Sequence, residues 1–135
     1  MEEYDKVLQL WEETGLPCHP RGRDAPDRVR VQLDDPHTCF LVAETDGRLV
    51  GTLILTHDTR KGWLNRLAVR PDYRGKGIAT VLVRAAEEHF EKEGIEVVSA
   101  LIQDTNVDSR RLFSTLGYEY DPRVTYYSKR KRPDS

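Results

Sequence analysis

The chain has 135 residues, 38% hydrophobic and 33% charged, with a formal net charge of −2. That length fits one domain with a modest core, and the near-neutral balance excludes a polyanion binder that works by bulk charge. No run reaches the roughly 18 apolar residues that cross a bilayer, so no membrane partner is expected.

The acidic start "MEEYDKVLQLWEETGL" has no apolar signal core, which points to a cytoplasmic protein. Tyr4, Val7, Leu8 and Trp11 fall at helical spacing and predict an amphipathic helix over residues 3–14, closed by Gly15. "LPCHPRGRD" reads as a loop. Asp24 can cap a short helix over 25–34, with Pro26 in its first turn, and Pro36 lies just beyond its end. Cys18 and Cys39 show no CxxC or Cys/His spacing, so they read as reduced thiols without a metal. Adjacent loop residues such as Cys18 and His19 seldom make a nucleophile–base pair.

The hydrophobic period then changes. "CFLVAET", "GRLVGTLILTHD" and "GWLNRLAVR" are β-rich runs split by Asp46-Gly47 and Lys61-Gly62. They predict a three-stranded antiparallel meander at 39–45, 48–57 and 62–69. After the loop "VRPDYRGKGIAT" comes a helix whose inner face carries Ile78, Leu82, Ala86 and Phe90, with Ala79 and Val83 beside it and Gly94 as its stop. "IEVVSALIQ", residues 95–103, is a continuous apolar strand of the kind buried on both faces. Strand, helix and strand make a right-handed βαβ unit, so the strands at 62–69 and 95–103 should run parallel. "NVDSRRLFSTLG" predicts a shorter helix with Leu112, Phe113 and Leu116 inward, and "YEY" and "VTYYSKR" predict closing strands. The expected architecture is α/β (α+β): one domain over 1–128 and a basic, disordered tail over 129–135. Nucleic-acid binding is not expected, because four tail cations do not outweigh a mildly acidic chain.

A glycine-rich turn between a strand and a helix offers backbone N–H groups and a helix dipole to an anion, typically phosphate. Arg74 and Lys76 add positive charge. "RGKGIAT" lacks the spacing of a nucleotide P-loop. It also lacks the third glycine of a dinucleotide fingerprint, and the next strand ends Ile102-Gln103 where that fold needs an acid.

A third pattern fits. Arg74 to Ala79 match R/Q-x-x-G-x-G/A, and "NVDSRRLFSTLGY" resembles N-x-x-A-x-x-L-Y-x-x-x-G-F. With the element order, these segments make the chain, over roughly residues 3 to 128, resemble the GNAT N-acyltransferase superfamily. The resemblance implies the GNAT acyl-CoA fold, a mixed sheet with an N-terminal antiparallel meander and a splayed parallel pair. It implies acetyl-CoA as acetyl donor and a small-molecule or peptide amine as acceptor. Arg74, Gly75, Lys76, Gly77, Ile78 and Ala79 would wrap the pyrophosphate, with Thr80 beside them. Backbone groups of Leu67 and Val69, flanking Ala68, would pair with the pantetheine arm. The N–H near Leu67 would serve as an oxyanion donor. Asn106, Ser109 and Phe113 would complete the cofactor site, with no metal.

Three departures stand out. Phe113 occupies the place of the family's acid tyrosine, and Asn65 that of its base glutamate. Another group could act as acid: Tyr118, Tyr120, Tyr126, Tyr127, His57 or Asp58, with Tyr118 carried as the candidate catalytic residue. Alternatively no acid is needed, because a thiolate is a tolerable leaving group, and Asn65 with solvent handles the proton. Or the protein is a non-catalytic acyl-CoA-binding module. We favour the second reading. The family's first strand has no counterpart before residue 3, which leaves a sheet edge near 39–45 that a homodimer could cover. For the acceptor, Arg21 and Arg23 could pair with an anionic group, or Arg23 could be neutralised by Asp24 in a solvated loop. Tyr126 could wall the same pocket.

Overall fold

The computed structural model describes residues 5–7, 9–10 and 35–132. Residues 5–7 and 9–10 are helical, inside the helix expected over 3–14. The loop with Cys18, Arg21 and Arg23, the helix expected over 25–34 and the last three residues of the tail lie outside the described residues.

Strands β1 (Thr38–Thr45), β2 (Arg48–His57) and β3 (Lys61–Val69) form the antiparallel meander. β3 then pairs in parallel with β4 (Val97–Ala100), giving the order β1-β2-β3-β4. Among the described residues β1 is the first strand and lies at a sheet edge. Asp46 and Gly47, with φ of 52° and 75°, make the β1–β2 hairpin, both in the region a two-residue type I′ turn requires.

The second turn sits earlier than Lys61-Gly62. Asp58 Oδ1 accepts from the N–H groups of Arg60 at 2.9 Å and Lys61 at 2.8 Å, so the chain reverses over residues 58–60. Gly62 is instead a strand residue with a packing task. A Cβ there would stand 2.8 Å from the ring of Phe90, so its bareness lets that ring lie against the sheet.

Helix α1 (Ile78–Lys92) buries Leu82, Val83, Ala86 and Phe90, close to the face expected from the sequence. Its C-terminus closes with Ile95 N–H donating to the Phe90 carbonyl at 2.9 Å and Gly94 N–H to that of Glu91 at 3.1 Å, the paired bonds of a Schellman stop. Those side chains join Leu53, Leu55, Leu64, Ile95 and Phe113 in the main core. A second core holds Val7 and Leu10 of the N-terminal helix with Leu49, Ile54 and Ala68.

Two expectations fail. The strand expected over 95–103 is only Val97–Ala100, because pairing with β3 stops at Leu64 opposite Ala100 while β3 runs on to Val69. The pair therefore splays. Neither closing strand forms: residues 118–132 hold no strand, and Tyr120, Val124, Tyr126 and Tyr127 are exposed. The bonds made by Asp121 are local, to Arg123 and Val124, and belong to a turn rather than a ladder. Among the described residues no helix is long and apolar enough to cross a membrane.

Candidate active site

The splay opens a cleft of about 1100 Å³, bounded by the second half of β3, the residues that follow β4, and helix α2 (Val107–Thr115). Its floor is set by a β-bulge. Thr52 of β2 faces Ala68 and Ile54 faces Asn65, so Arg66 and Leu67 together oppose Leu53. Arg66 takes the left-handed conformation with φ 59°, and Thr52 Oγ1 donates to its carbonyl at 3.2 Å. A bulge interrupts the ladder and re-aims what it carries. Here it places the backbone of Leu67 at the point where β3 leaves β4.

At one end of the cleft stands the glycine loop. A 3-10 turn (Pro71–Tyr73) leads through Arg74 to Gly75 and Gly77, with φ of 77° and 81°. Both take the left-handed backbone that favours glycine. Nothing lies within 4 Å of where their Cβ atoms would project, and Gly77 caps α1 without a side-chain bond to its first-turn N–H groups. Open space above an uncapped helix start suits an anion, the position expected for a pyrophosphate. Arg74 Nε–H donates to the Val69 carbonyl at 3.2 Å, which ties the loop to the end of β3.

Asn106 caps α2. Its Oδ1 accepts from Ser109 N–H at 3.1 Å, and both residues line the cleft. On the β side, Asn65 Nδ2–H donates to Thr56 Oγ1 at 3.3 Å, fixing the amide that stands where a base was expected. Phe113 is buried in the main core and also borders the cleft.

Asn65, Leu67, Ala68, Val69, Arg74, Gly75, Ala79, Asn106, Ser109, Phe113 and Tyr126 all line this cleft. Gly77, Ile78 and Thr80 line an adjoining hollow of about 310 Å³ that shares Val69, Arg74, Gly75 and Ala79. Lys76 borders neither hollow; its Nζ lies 5.1 Å from the Tyr73 ring centroid. Arg21 and Arg23 are outside the described residues.

Tyr118 does not come to the cleft. Its hydroxyl donates to Glu87 Oε2 at 2.8 Å and its ring packs edge-on to Phe113. Burial and the Glu87 carboxylate push its phenol above the ordinary value, so it holds its proton firmly. Most of the other acid candidates lie elsewhere too. His57 Nδ1 accepts from Thr59 N–H at 3.0 Å, the N–H groups of Lys61 and Arg60 hold the Asp58 carboxyl below its usual range, and Tyr120 stacks under Arg110. Only Tyr126 of that set reaches the cleft.

Sequence reasoning missed Thr56, Arg66, Gln103, Thr105 and Asp108. Simple alternation separates Arg66 from Leu67, and the bulge sets both against Leu53; both residues border the cleft.

With the geometry established, comparison with known proteins is direct. The family model described as the acetyltransferase (GNAT) family matches residues 4–118. Acetyltransferase SG1711 of Sodalis glossinidius is 31% identical over 129 residues, which span 96% of this chain and 89% of that relative. Among solved structures, AAC(6')-Iy in complex with the bisubstrate analog CoA-S-monomethyl-acetylneamine superposes with a TM-score of 0.76 at 24% identity, covering 95% of this chain and 90% of that one. The PaiA N-acetyltransferase from Thermoplasma acidophilum, in complex with coenzyme A, gives 0.77 at 22% identity over 89% and 86% of the two chains.

Proposed function

Because the chain belongs to the GNAT acetyltransferase family, we propose that it transfers an acetyl group from acetyl-CoA to a primary amine by direct attack on the thioester. The observation that carries this is convergence. The glycine turn, the bulged end of β3 and the cap of α2 border one continuous pair of hollows. Acetyl-CoA, when bound, supplies an activated thioester. The chain's task is to hold and orient it.

First-turn N–H groups of α1 and the Arg74 guanidinium would grip the pyrophosphate. The β3 edge released beyond Leu64 would bond the pantetheine arm as an added strand, with Asn106 near its sulfur end. The Leu67 N–H in the bulge would receive charge from the carbonyl oxygen. Asn65, fixed by Thr56, would place the amine or the water that takes its proton. Phe113 has no proton to give, and Tyr118 keeps its own, so the thiolate leaves with solvent as its acid.

The test is incubation with acetyl-CoA and a panel of amines while thiol release is followed. Release that depends on an amine supports transfer. Phe113 and Asn65 also favour a second reading, a non-catalytic acyl-CoA-binding module. Tight CoA binding by calorimetry with no release on any amine would establish that one instead.

A further inference from the structure

Lys76 stands in the middle of the glycine loop, between Gly75 and Gly77, yet it borders neither hollow. Its Nζ lies 5.1 Å from the centroid of the Tyr73 ring instead. Tyr73 itself lines the adjoining hollow, with Gly75, Gly77 and Thr80. Lys76 makes no ion pair among the described residues. An aromatic ring attracts a cation without cancelling its charge.

A second cation reaches the same ring from another part of the chain. The turn at Asp46 and Gly47 delivers Arg48, the first residue of β2. Arg48 Cζ stands 5.9 Å from the Tyr73 centroid, and Nη1–H donates to Asp72 Oδ2 at 3.3 Å. The β1–β2 hairpin is thereby pinned to the 3-10 turn that leads into the glycine loop. Two cations share one ring, and Asp72 balances one of them. Lys76 is left as an uncompensated positive charge at the rim of the adjoining hollow.

Resting on the reading of the cleft as an acetyl-CoA site, we infer that Lys76, with Arg48 beside it, holds the phosphate on the ribose of the coenzyme and so selects coenzyme A over its dephospho form. Coenzyme A joins a pantetheine arm, through a pyrophosphate, to an adenosine whose ribose carries a further phosphate. With the arm in the cleft and the pyrophosphate over the glycines, the adenosine is the part left to meet Tyr73 and its cations. The backbone N–H groups of the loop need no side chain to meet a pyrophosphate, so the lysine is available to a second anion. A ribose phosphate carries close to two negative charges at neutral pH, and an ammonium on a flexible stem meets it as a point charge. Neutralising it there adds affinity without touching the reacting atoms. Lys76 and Arg48 are binding residues, and their effect lies in which donor the protein takes up.

Calorimetry with coenzyme A and dephospho-coenzyme A tests this without turnover. The unaltered chain should bind coenzyme A roughly tenfold more tightly at low salt. The margin should shrink as salt is raised, because exposed charges are screened. Lys76→Met should remove most of the margin by weakening coenzyme A, with dephospho-coenzyme A shifted far less. Lys76→Arg should keep most of it, and Arg48→Gln should remove a smaller share, since Asp72 already draws on that charge. Equal affinity of the unaltered chain for both coenzymes overturns the assignment and leaves the acetyl-CoA reading standing. A margin that survives Lys76→Met combined with Arg48→Gln does the same. An equal loss on both coenzymes in Lys76→Met also overturns it, and returns the lysine to the pyrophosphate. Failure of both coenzymes to bind overturns the acetyl-CoA reading and this assignment together.

Discussion

β3 is one strand with two halves that behave differently. From Gly62 to Leu64 it is paired on both sides, to β2 and to β4, and Gly62 lies under the fully buried ring of Phe90. From Asn65 to Val69 it has lost β4, carries a bulge and a left-handed arginine, and faces a cleft. The first half spends its backbone on the sheet, and the second would offer backbone groups to the proposed ligand. A site that binds by added-strand pairing needs both, a zipped end that fixes the opening and an unzipped end that offers it.

Damage to the ligand half should therefore affect binding with little effect on folding. The largest expected effect is for Gly77→Asp combined with Arg74→Ala. An aspartate at φ 81° is strained and puts a negative charge where the pyrophosphate would lie, and the partner change removes a cation. CoA affinity by calorimetry should fall roughly a hundredfold or more. An unchanged affinity would show that the glycine loop has been misassigned.

The reverse lesion tests the other half. Gly62→Ala puts a methyl group 2.8 Å from the Phe90 ring, which has no free space to move into because it is wholly buried. The cost should be about 1–3 kcal/mol by denaturant unfolding, with CoA affinity of the folded protein preserved. If CoA affinity fell as steeply as stability, the two halves would be one mechanical unit and the contrast would be lost.

The difference between the halves also explains what the sequence could tell. The paired half and α1 were legible because burial writes a period: Leu82, Ala86 and Phe90 on the helix, and the β-rich runs across Asp46-Gly47. The glycine turn was legible because its spacing is itself the motif proposed to hold the anion. The bulge was not. Nothing in "LNRLAV" marks where a strand gains a residue against its neighbour. The segment 118–132 misled for a related reason. Tyr120, Val124 and Tyr126 look like strand residues, but a strand needs a partner edge, and their propensity cannot supply one.

A smaller effect separates positioning from binding within the cleft. Asn65→Ala removes the amide anchored on Thr56 and should lower kcat by about tenfold, leaving CoA affinity unchanged. A fall in CoA affinity instead would move Asn65 from the acceptor to the donor.

The smallest expected effect concerns Tyr118, which belongs to the supporting part of the molecule although it sits three residues beyond the end of α2. Its hydroxyl bond to Glu87 ties the end of α2 to α1, and burial together with that carboxylate keeps the phenol neutral. The folded value is raised above the unfolded one. The stabilisation is therefore fully present below about pH 10, the ordinary tyrosine value, and is lost as pH climbs from there toward the raised value. Tyr118→Phe should cost about 1 kcal/mol at neutral pH and flatten the alkaline decline in unfolding free energy. Turnover at neutral pH should not change, because the phenol lies outside the cleft. A tenfold or greater drop in kcat with stability intact would instead make Tyr118 the proton donor to the leaving thiolate, and place the chemistry on both sides of Phe113.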